Sequence, residues 1–283
     1  MILNGKVVAD SIKQRLKEEV DVAVANGLRR PCLAIISVGD DPASQVYIRN
    51  KRKAAEEVGV KVLHYTFKGG KEIVRELVNT IKSFNDDPKV DGIMVQLPVP
   101  SFIDERALID MIDPAKDVDG LATTNIGRLR SGQDCLKPCT AQGIIDLCKY
   151  YNIELDGKDV TIIGRSNIVG KPLADLMMAE GATVTQCHSR TRFLADYTLR
   201  ADIVVSAVGK PKFLSDEYFG GGQVIIDVGI NRDENGKLCG DVDALDPEDY
   251  SITPVPGGVG PMTVAELMAN VIDAWQRNVE EDV

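Results

Sequence analysis

Histidine is almost missing from this chain, with two among 283 residues. Acid–base chemistry therefore has to fall to lysine, aspartate or tyrosine. A metal centre built on imidazoles is not expected either. The six cysteines (32, 135, 139, 148, 187, 239) are scattered and only Cys135 and Cys139 lie close, so neither a disulfide framework nor a zinc cluster is expected. Basic residues are in the minority, 33 against 43 acidic ones, for a net charge of −10. No basic stripe stands out, which argues against a nucleic-acid partner. No apolar run approaches the ~20 residues of a membrane span. The segment Met1-Ile-Leu-Asn-Gly-Lys lacks the basic-then-apolar form of a secretory leader. The expectation is a cytoplasmic protein with reduced thiols and no membrane association.

What is present is alternation. Short β-branched runs (33–38, 60–67, 92–97, 160–164, 183–187, 203–208, 224–228) alternate with helical patterns (9–25, 42–58, 71–85, 104–112, 140–150, 171–180, 216–219, 263–278). Strands such as Thr161-Ile-Ile and Ile203-Val-Val are continuously apolar, as in sheets covered on both faces. The fold class expected is α/β with parallel sheets. A second βα series opens at Asp159, after the stretch Tyr150-Tyr-Asn-Ile-Glu-Leu-Asp-Gly-Lys158, read as a domain boundary. Near the C-terminus, Pro254-Val-Pro-Gly-Gly-Val-Gly-Pro-Met-Thr263 is stiff, apolar and uncharged, a form suited to walling a ligand cleft. Thr263 with Glu266 has the spacing of a capping box opening the last helix.

The strand ending at Gly164 runs into Gly164-Arg-Ser-Asn-Ile-Val-Gly170 and a helix. Glycines between a strand and a helix let phosphate approach backbone N–H groups. The spacing is neither the dinucleotide fingerprint nor a Walker A loop. A structural βα turn reads the same way. The next strand ends in His188-Ser-Arg-Thr191, where an NAD enzyme usually carries an acid for the ribose. A serine and cations there, with Arg165, favour NADP.

Tyr47, Lys51, Ala54 and Val58 fall on one helix face. A lysine in an apolar stripe is costly unless it is paired or useful, although a snorkelling stem gives the same pattern. Gln96, in Gly92-Ile-Met-Val-Gln-Leu-Pro-Val-Pro100, stands near the carboxyl end of a strand. Asp119, in Lys116-Asp-Val-Asp-Gly120, sits in an acidic turn. Together they could read the amino and carbonyl edge of a heterocycle.

These segments, with Tyr47-Ile-Arg-Asn-Lys51, Lys137-Pro-Cys-Thr140 and the Pro254–Thr263 loop, run in order over essentially the whole chain. The sequence closely resembles the bifunctional methylenetetrahydrofolate dehydrogenase/cyclohydrolase (FolD) family. The resemblance implies two α/β domains. Residues 1–145 with 265–283 would form a folate-binding catalytic domain, onto which the C-terminal helix folds back, and 146–264 a Rossmann-type NADP domain. It implies Lys51 as the catalytic lysine, Tyr47 stacking on the folate, Gln96 positioning the lysine and Asp119 anchoring the pterin. Pro256, Gly257 and Gly258 would line the folate cleft. Gly164, Arg165 and Ser166 would hold NADP, with Ser189 near its 2′-phosphate and Ile230 touching it through the backbone. It also implies a homodimer. Two rivals stay open on the residues alone. One is another NADP dehydrogenase of the shikimate type, which would oxidise without hydrolysing. The other is a nucleotide sensor without catalysis.

Overall fold

The computed structural model describes residues 1–243 and 248–281. Its elements in chain order are α1 (Gly5–Ala25), β1 (Cys32–Val38), α2 (Pro42–Val58), β2 (Lys61–Phe67), α3 (Val74–Asp86), β3 (Gly92–Val95), α4 (Glu105–Ile109), α5 (Thr123–Arg130), α6 (Cys139–Tyr150), β4 (Asp159–Ile163), α7 (Gly170–Ala179), β5 (Thr183–Cys187), α8 (Leu194–Thr198), β6 (Ile203–Ser206), β7 (Val224–Asp227), β8 (Asn231–Arg232), β9 (Leu238–Cys239), β10 (Ser251–Ile252) and α9 (Val259–Glu281). The chain divides into two units, one of Asp10–Cys139 with the stretch from Val264 onward, the other of Met1–Ala9 with Thr140–Thr263.

The first unit holds a three-stranded parallel sheet in the order β2-β1-β3. All of β1 is buried, because it is central and covered on both faces. Its residues divide by alternation. Leu33 and Ile35 face Leu16 and Val20 of α1, Ile48 and Val58 of α2, and Met268, Val271 and Trp275 of α9. Ala34 and Ile36 face Leu77, Ile81 and Phe84 of α3. The C-terminal helix thus packs against the helices of the first half, as the resemblance implied. Trp275, the single tryptophan, is 1% exposed there. Each large apolar side chain buried in this way contributes about 1.5–3 kcal/mol.

The second unit holds a five-stranded parallel sheet in the order β10-β7-β6-β4-β5. In each sheet the first strand has its successor on one side and a later strand on the other. Chain direction therefore switches beside β1 in one unit and beside β4 in the other. Ligands of open α/β sheets bind beyond the carboxyl ends of strands at such points. Gln96 follows β3 and Gly164 follows β4, so both stand at those ends.

The last helix departs from expectation. It begins at Val259, one turn early, and Thr263 turns its hydroxyl back onto the Val259 carbonyl at 3.3 Å. Thr263 therefore lies inside the helix and the expected capping box does not form. Pro261 is tolerated because it falls in the first turn, where backbone N–H groups have no helical partner.

Candidate functional site

The catalytic candidates are placed by α2 and by the carboxyl edge of the first sheet. Asp41 caps α2, its Oδ2 accepting from the Ser44 N–H at 2.7 Å and the Ser44 hydroxyl at 2.8 Å. Ile48, Ala54, Ala55 and Val58 bury the inner face of the helix. Lys51 lies at the margin of that face, half-buried, and its Nζ donates to Gln96 Oε1 at 3.2 Å.

Gln96 is fixed from both ends. Its backbone N–H donates to the Ile36 carbonyl at 2.8 Å, and its side-chain Nε2 donates to the Leu97 carbonyl at 2.7 Å. With the amide nitrogen committed to Leu97, the amide oxygen is the atom left to face the lysine. Tyr47, one turn before Lys51, is 36% exposed, which leaves part of its ring open; burial of the remainder pushes its phenol upward.

Asp119 is brought to the same place by a pinned turn. The Ile93 N–H donates to the Lys116 carbonyl at 2.7 Å, which lays residue 117 alongside β3. The buried Asp117 carboxylate takes the Ala122 N–H at 2.8 Å and Asn125 Nδ2 at 2.9 Å. From α9, Asn270 Nδ2 donates to the carbonyls of Val118 and Lys137, both at 2.8 Å. Gly120 has φ +68°, and a Cβ there would lie 2.4 Å from the Lys137 carbonyl carbon, so no other residue fits. Burial raises the Asp119 carboxyl, while the nearby Lys51 ammonium pulls it down. Cys139 lies against the same turn, its Sγ donating to the Val118 carbonyl at 3.2 Å. Burial, reinforced by the charges of Asp119 and Glu266, holds that thiol well above its usual range, so it is an inert neighbour rather than a nucleophile.

Neither Asn270 nor Cys139 figures among the sequence candidates. Asn270 had a signal, as a polar residue between the apolar Leu267-Met-Ala269 and Val271-Ile272. Cys139 stood out only through its spacing from Cys135 and within the Lys137-Pro-Cys-Thr140 segment, neither of which points to the turn that it packs against.

The second unit assembles the phosphate-loop candidates. Gly164 has φ +124°, and a Cβ there would meet the Ala207 carbonyl at 2.4 Å. The bare backbone lets the loop leave β4 hard against the end of β6. Ser166 Oγ accepts from the N–H groups of Val169 at 3.1 Å and Gly170 at 3.4 Å, folding the loop onto the start of α7. Arg165 and Ser166 are exposed. The Gly164 N–H donates to the Cys187 carbonyl at 2.9 Å, so the residues after β5 run beside the loop. Ser189 and Arg190 therefore share the edge with Arg165, and both are exposed. Ile230, after β7, is 47% exposed. Bare backbone, a helix start and two exposed guanidinium groups suit a phosphate-bearing dinucleotide.

Pro256, Gly257 and Gly258 belong to this second unit, whereas Lys51, Gln96, Tyr47 and Asp119 belong to the first. Their loop is tied to the N-terminus, Lys6 N–H donating to the Gly257 carbonyl at 3.0 Å. Pro256 is exposed and Gly258 buried. The histidines are occupied elsewhere, His64 with the Ser37 hydroxyl at 3.0 Å and His188 accepting the Arg190 N–H at 3.1 Å. Among the described residues no group of three or more His, Cys, Asp or Glu could hold a metal ion.

The family model of the tetrahydrofolate dehydrogenase/cyclohydrolase catalytic domain matches residues 3–119, and that of its NAD(P)-binding domain matches residues 138–279. The chain belongs to the tetrahydrofolate dehydrogenase/cyclohydrolase family. It is 49% identical to the bifunctional protein FolD of Agathobacter rectalis over 98% of this chain and 99% of that protein. Among solved structures it resembles the Campylobacter jejuni FolD methylenetetrahydrofolate dehydrogenase/cyclohydrolase, with a TM-score of 0.93, 43% identity and coverage of 98% and 99% of the two chains. It also resembles the Trypanosoma brucei FolD complexed with NADP cofactor and inhibitor, with a TM-score of 0.91, 36% identity and coverage of 99% and 98%. Tyr47, Lys51, Gln96 and Asp119 fall within the stretch matched by the family's catalytic domain. Gly164, Arg165, Ser166, Ser189 and Ile230 fall within that matched by its NAD(P)-binding domain.

Proposed function

We propose that this family member oxidises 5,10-methylenetetrahydrofolate to the 5,10-methenyl form with NADP+, then hydrolyses that cation to 10-formyltetrahydrofolate. The observation that carries the reading is the Lys51 Nζ–Gln96 Oε1 contact at 3.2 Å, with Asp119 on a turn pinned alongside β3. An amine, an amide and a carboxylate at the end of one sheet supply proton transfer, positioning and a hydrogen-bonding anchor for a pterin.

NADP, when bound, supplies the hydride acceptor. Gly164, Arg165 and Ser166 would hold its phosphates, Ser189 and Arg190 its 2′-phosphate, and the backbone at Ile230 would contact it. Hydride removal needs no general base, which suits a site without histidine; orientation supplies most of that step. In the hydrolysis, water attacks the methenyl carbon. Lys51, held by Gln96 and acting as the free amine, takes one proton of that water and returns it to the ring nitrogen as the carbon–nitrogen bond breaks, while the remaining hydroxyl proton leaves to solvent as the formyl carbonyl forms. Asp119 anchors the pterin, and Tyr47 stacks on the folate.

We place the domain boundaries near residues 146 and 264, and the assembly as a homodimer joined through the cofactor-binding domain, to be checked by light scattering on eluted protein. The six free thiols suit a cytoplasmic enzyme. No helix among the described residues is long and apolar enough to cross a membrane.

Mixing the protein with methylenetetrahydrofolate and NADP+ tests the reaction. The methenyl absorbance should rise and then decay. A rise without enzyme-dependent decay would leave only a dehydrogenase, and no rise would leave a binding protein.

A further inference from the structure

Two buried carboxylates lie in the second unit, and neither has been given a role above. Asp227 closes β7 and is 3% exposed; Asp241 follows β9 and is fully buried. Asp241 Oδ2 accepts from the N–H groups of Val208 at 2.8 Å and Gly209 at 3.2 Å and from the Ser206 hydroxyl at 3.0 Å. Its Oδ1 accepts from the Lys210 N–H and from Asn231 Nδ2, both at 2.9 Å. Asp227 Oδ1 accepts from the N–H groups of Gly229 at 2.8 Å and Asp241 at 3.0 Å, and its Oδ2 from that of Val242 at 2.9 Å.

These bonds tie three backbone stretches together: the turn after β6, the turn after β7 and the segment after β9. The packing leaves no slack. A Cβ on Gly229 would lie 2.3 Å from Asp241 Oδ1, and one on Gly240 would lie 1.8 Å from Asp227 Oδ2. Two charges are taken out of water and balanced chiefly by N–H dipoles, an arrangement costly enough to need a return. The two turns so tied carry Ala207, whose carbonyl fits against Gly164, and Ile230, which is exposed.

We propose that Asp227 and Asp241 are positioning residues for the dinucleotide, clamping the turns after β6 and β7 so that the backbone at 207–210 and 229–231 forms a fixed wall beside the Gly164 loop. This rests on the reading of that edge as the NADP site. The clamp acts on cofactor binding more than on hydrolysis, because Lys51, Gln96 and Asp119 belong to the other unit and none of the bonds above reaches Pro256, Gly257 or Gly258.

Steady-state kinetics of both half-reactions test it. Asp241→Asn swaps an acceptor for a donor among groups that all donate. Its KM for NADP+ should rise by about tenfold or more, kcat should change less, and hydrolysis of methenyltetrahydrofolate should stay within about twofold of wild type. Should Asp241→Asn not fold, Asn231→Ala, which deletes one bond to the clamp, decides the matter with a rise of roughly two- to fivefold in the same constant. An unchanged KM for NADP+ in the folded variant overturns the clamp, as does a parallel fall in hydrolysis. A wild-type protein that does not reduce NADP+ at all would instead remove the cofactor reading on which the clamp depends.

Discussion

Asn270 ties the C-terminal helix to the turn that carries Asp119, and removing it gives a graded test of how that carboxylate is held. The side chain is half-buried and donates two hydrogen bonds, to the carbonyls of Val118 and Lys137, each at 2.8 Å. A hydrogen bond of this kind contributes about 0.5–1.5 kcal/mol net. Partial access to water puts each near the lower half of that range, so Asn270→Ala should cost about 1–2 kcal/mol. Val118 adjoins Asp119, and Gly120 presses on Lys137, so the freed turn is the one that sets the carboxylate. If the whole cost is expressed in folate binding, KM for the folate rises roughly 5- to 30-fold. Because both half-reactions use the same folate site, the factor should be the same for oxidation and hydrolysis, while KM for NADP+ stays within about twofold. The assay is initial-rate kinetics of each half-reaction with the melting temperature measured in parallel. A variant with a lowered melting temperature but an unchanged folate KM would refute the reasoning, because the tether would then support the fold without setting Asp119.

Three further outcomes are expected. Asp119→Ala should weaken folate binding and leave NADP affinity nearly intact; equal loss of both would mean misfolding. Arg165→Ala should narrow the preference for NADP over NAD in kcat/KM, and an unchanged ratio would move the phosphate contact elsewhere. Burial lifts Asp117 from 3.8 to about 6, against the Ala122 and Asn125 hydrogen bonds that pull it down. A folded-state pKa above the unfolded one gives stability that is complete below about 3.8 and lost as pH rises through about 6. Between pH ~7.5 and ~5 this group should add about 1 kcal/mol, read as a shallower pH dependence of chemical denaturation in Asp117→Asn; identical pH profiles for wild type and variant would contradict it.

The sequence was most legible where one physical signal dominated. Continuous β-branched runs located the seven longer strands, and a lysine breaking an apolar stripe drew attention to Lys51, which the resemblance to the family then singled out. Helix α5 escaped because its one buried residue is polar, Asn125, so no apolar periodicity marks it. The start of α9 was misplaced because a threonine–glutamate spacing resembles a cap whether or not the preceding turn is already helical. The glycines that fit against neighbouring backbone, Gly120 and Gly164, could be noticed in sequence, but what each one fits against could not. The Asp227–Asp241 clamp was hidden for a related reason. Most of its donors are backbone N–H groups, and every residue type but proline offers one.

The central claim is that the amine of Lys51, oriented by Gln96, carries the proton in hydrolysis and does nothing indispensable in oxidation. The most direct measurement is the rate at which Lys51→Met hydrolyses methenyltetrahydrofolate, taken with folate binding by equilibrium titration on the same preparation. Hydrolysis should be abolished while the folate still binds. A near wild-type rate in that variant would contradict the account.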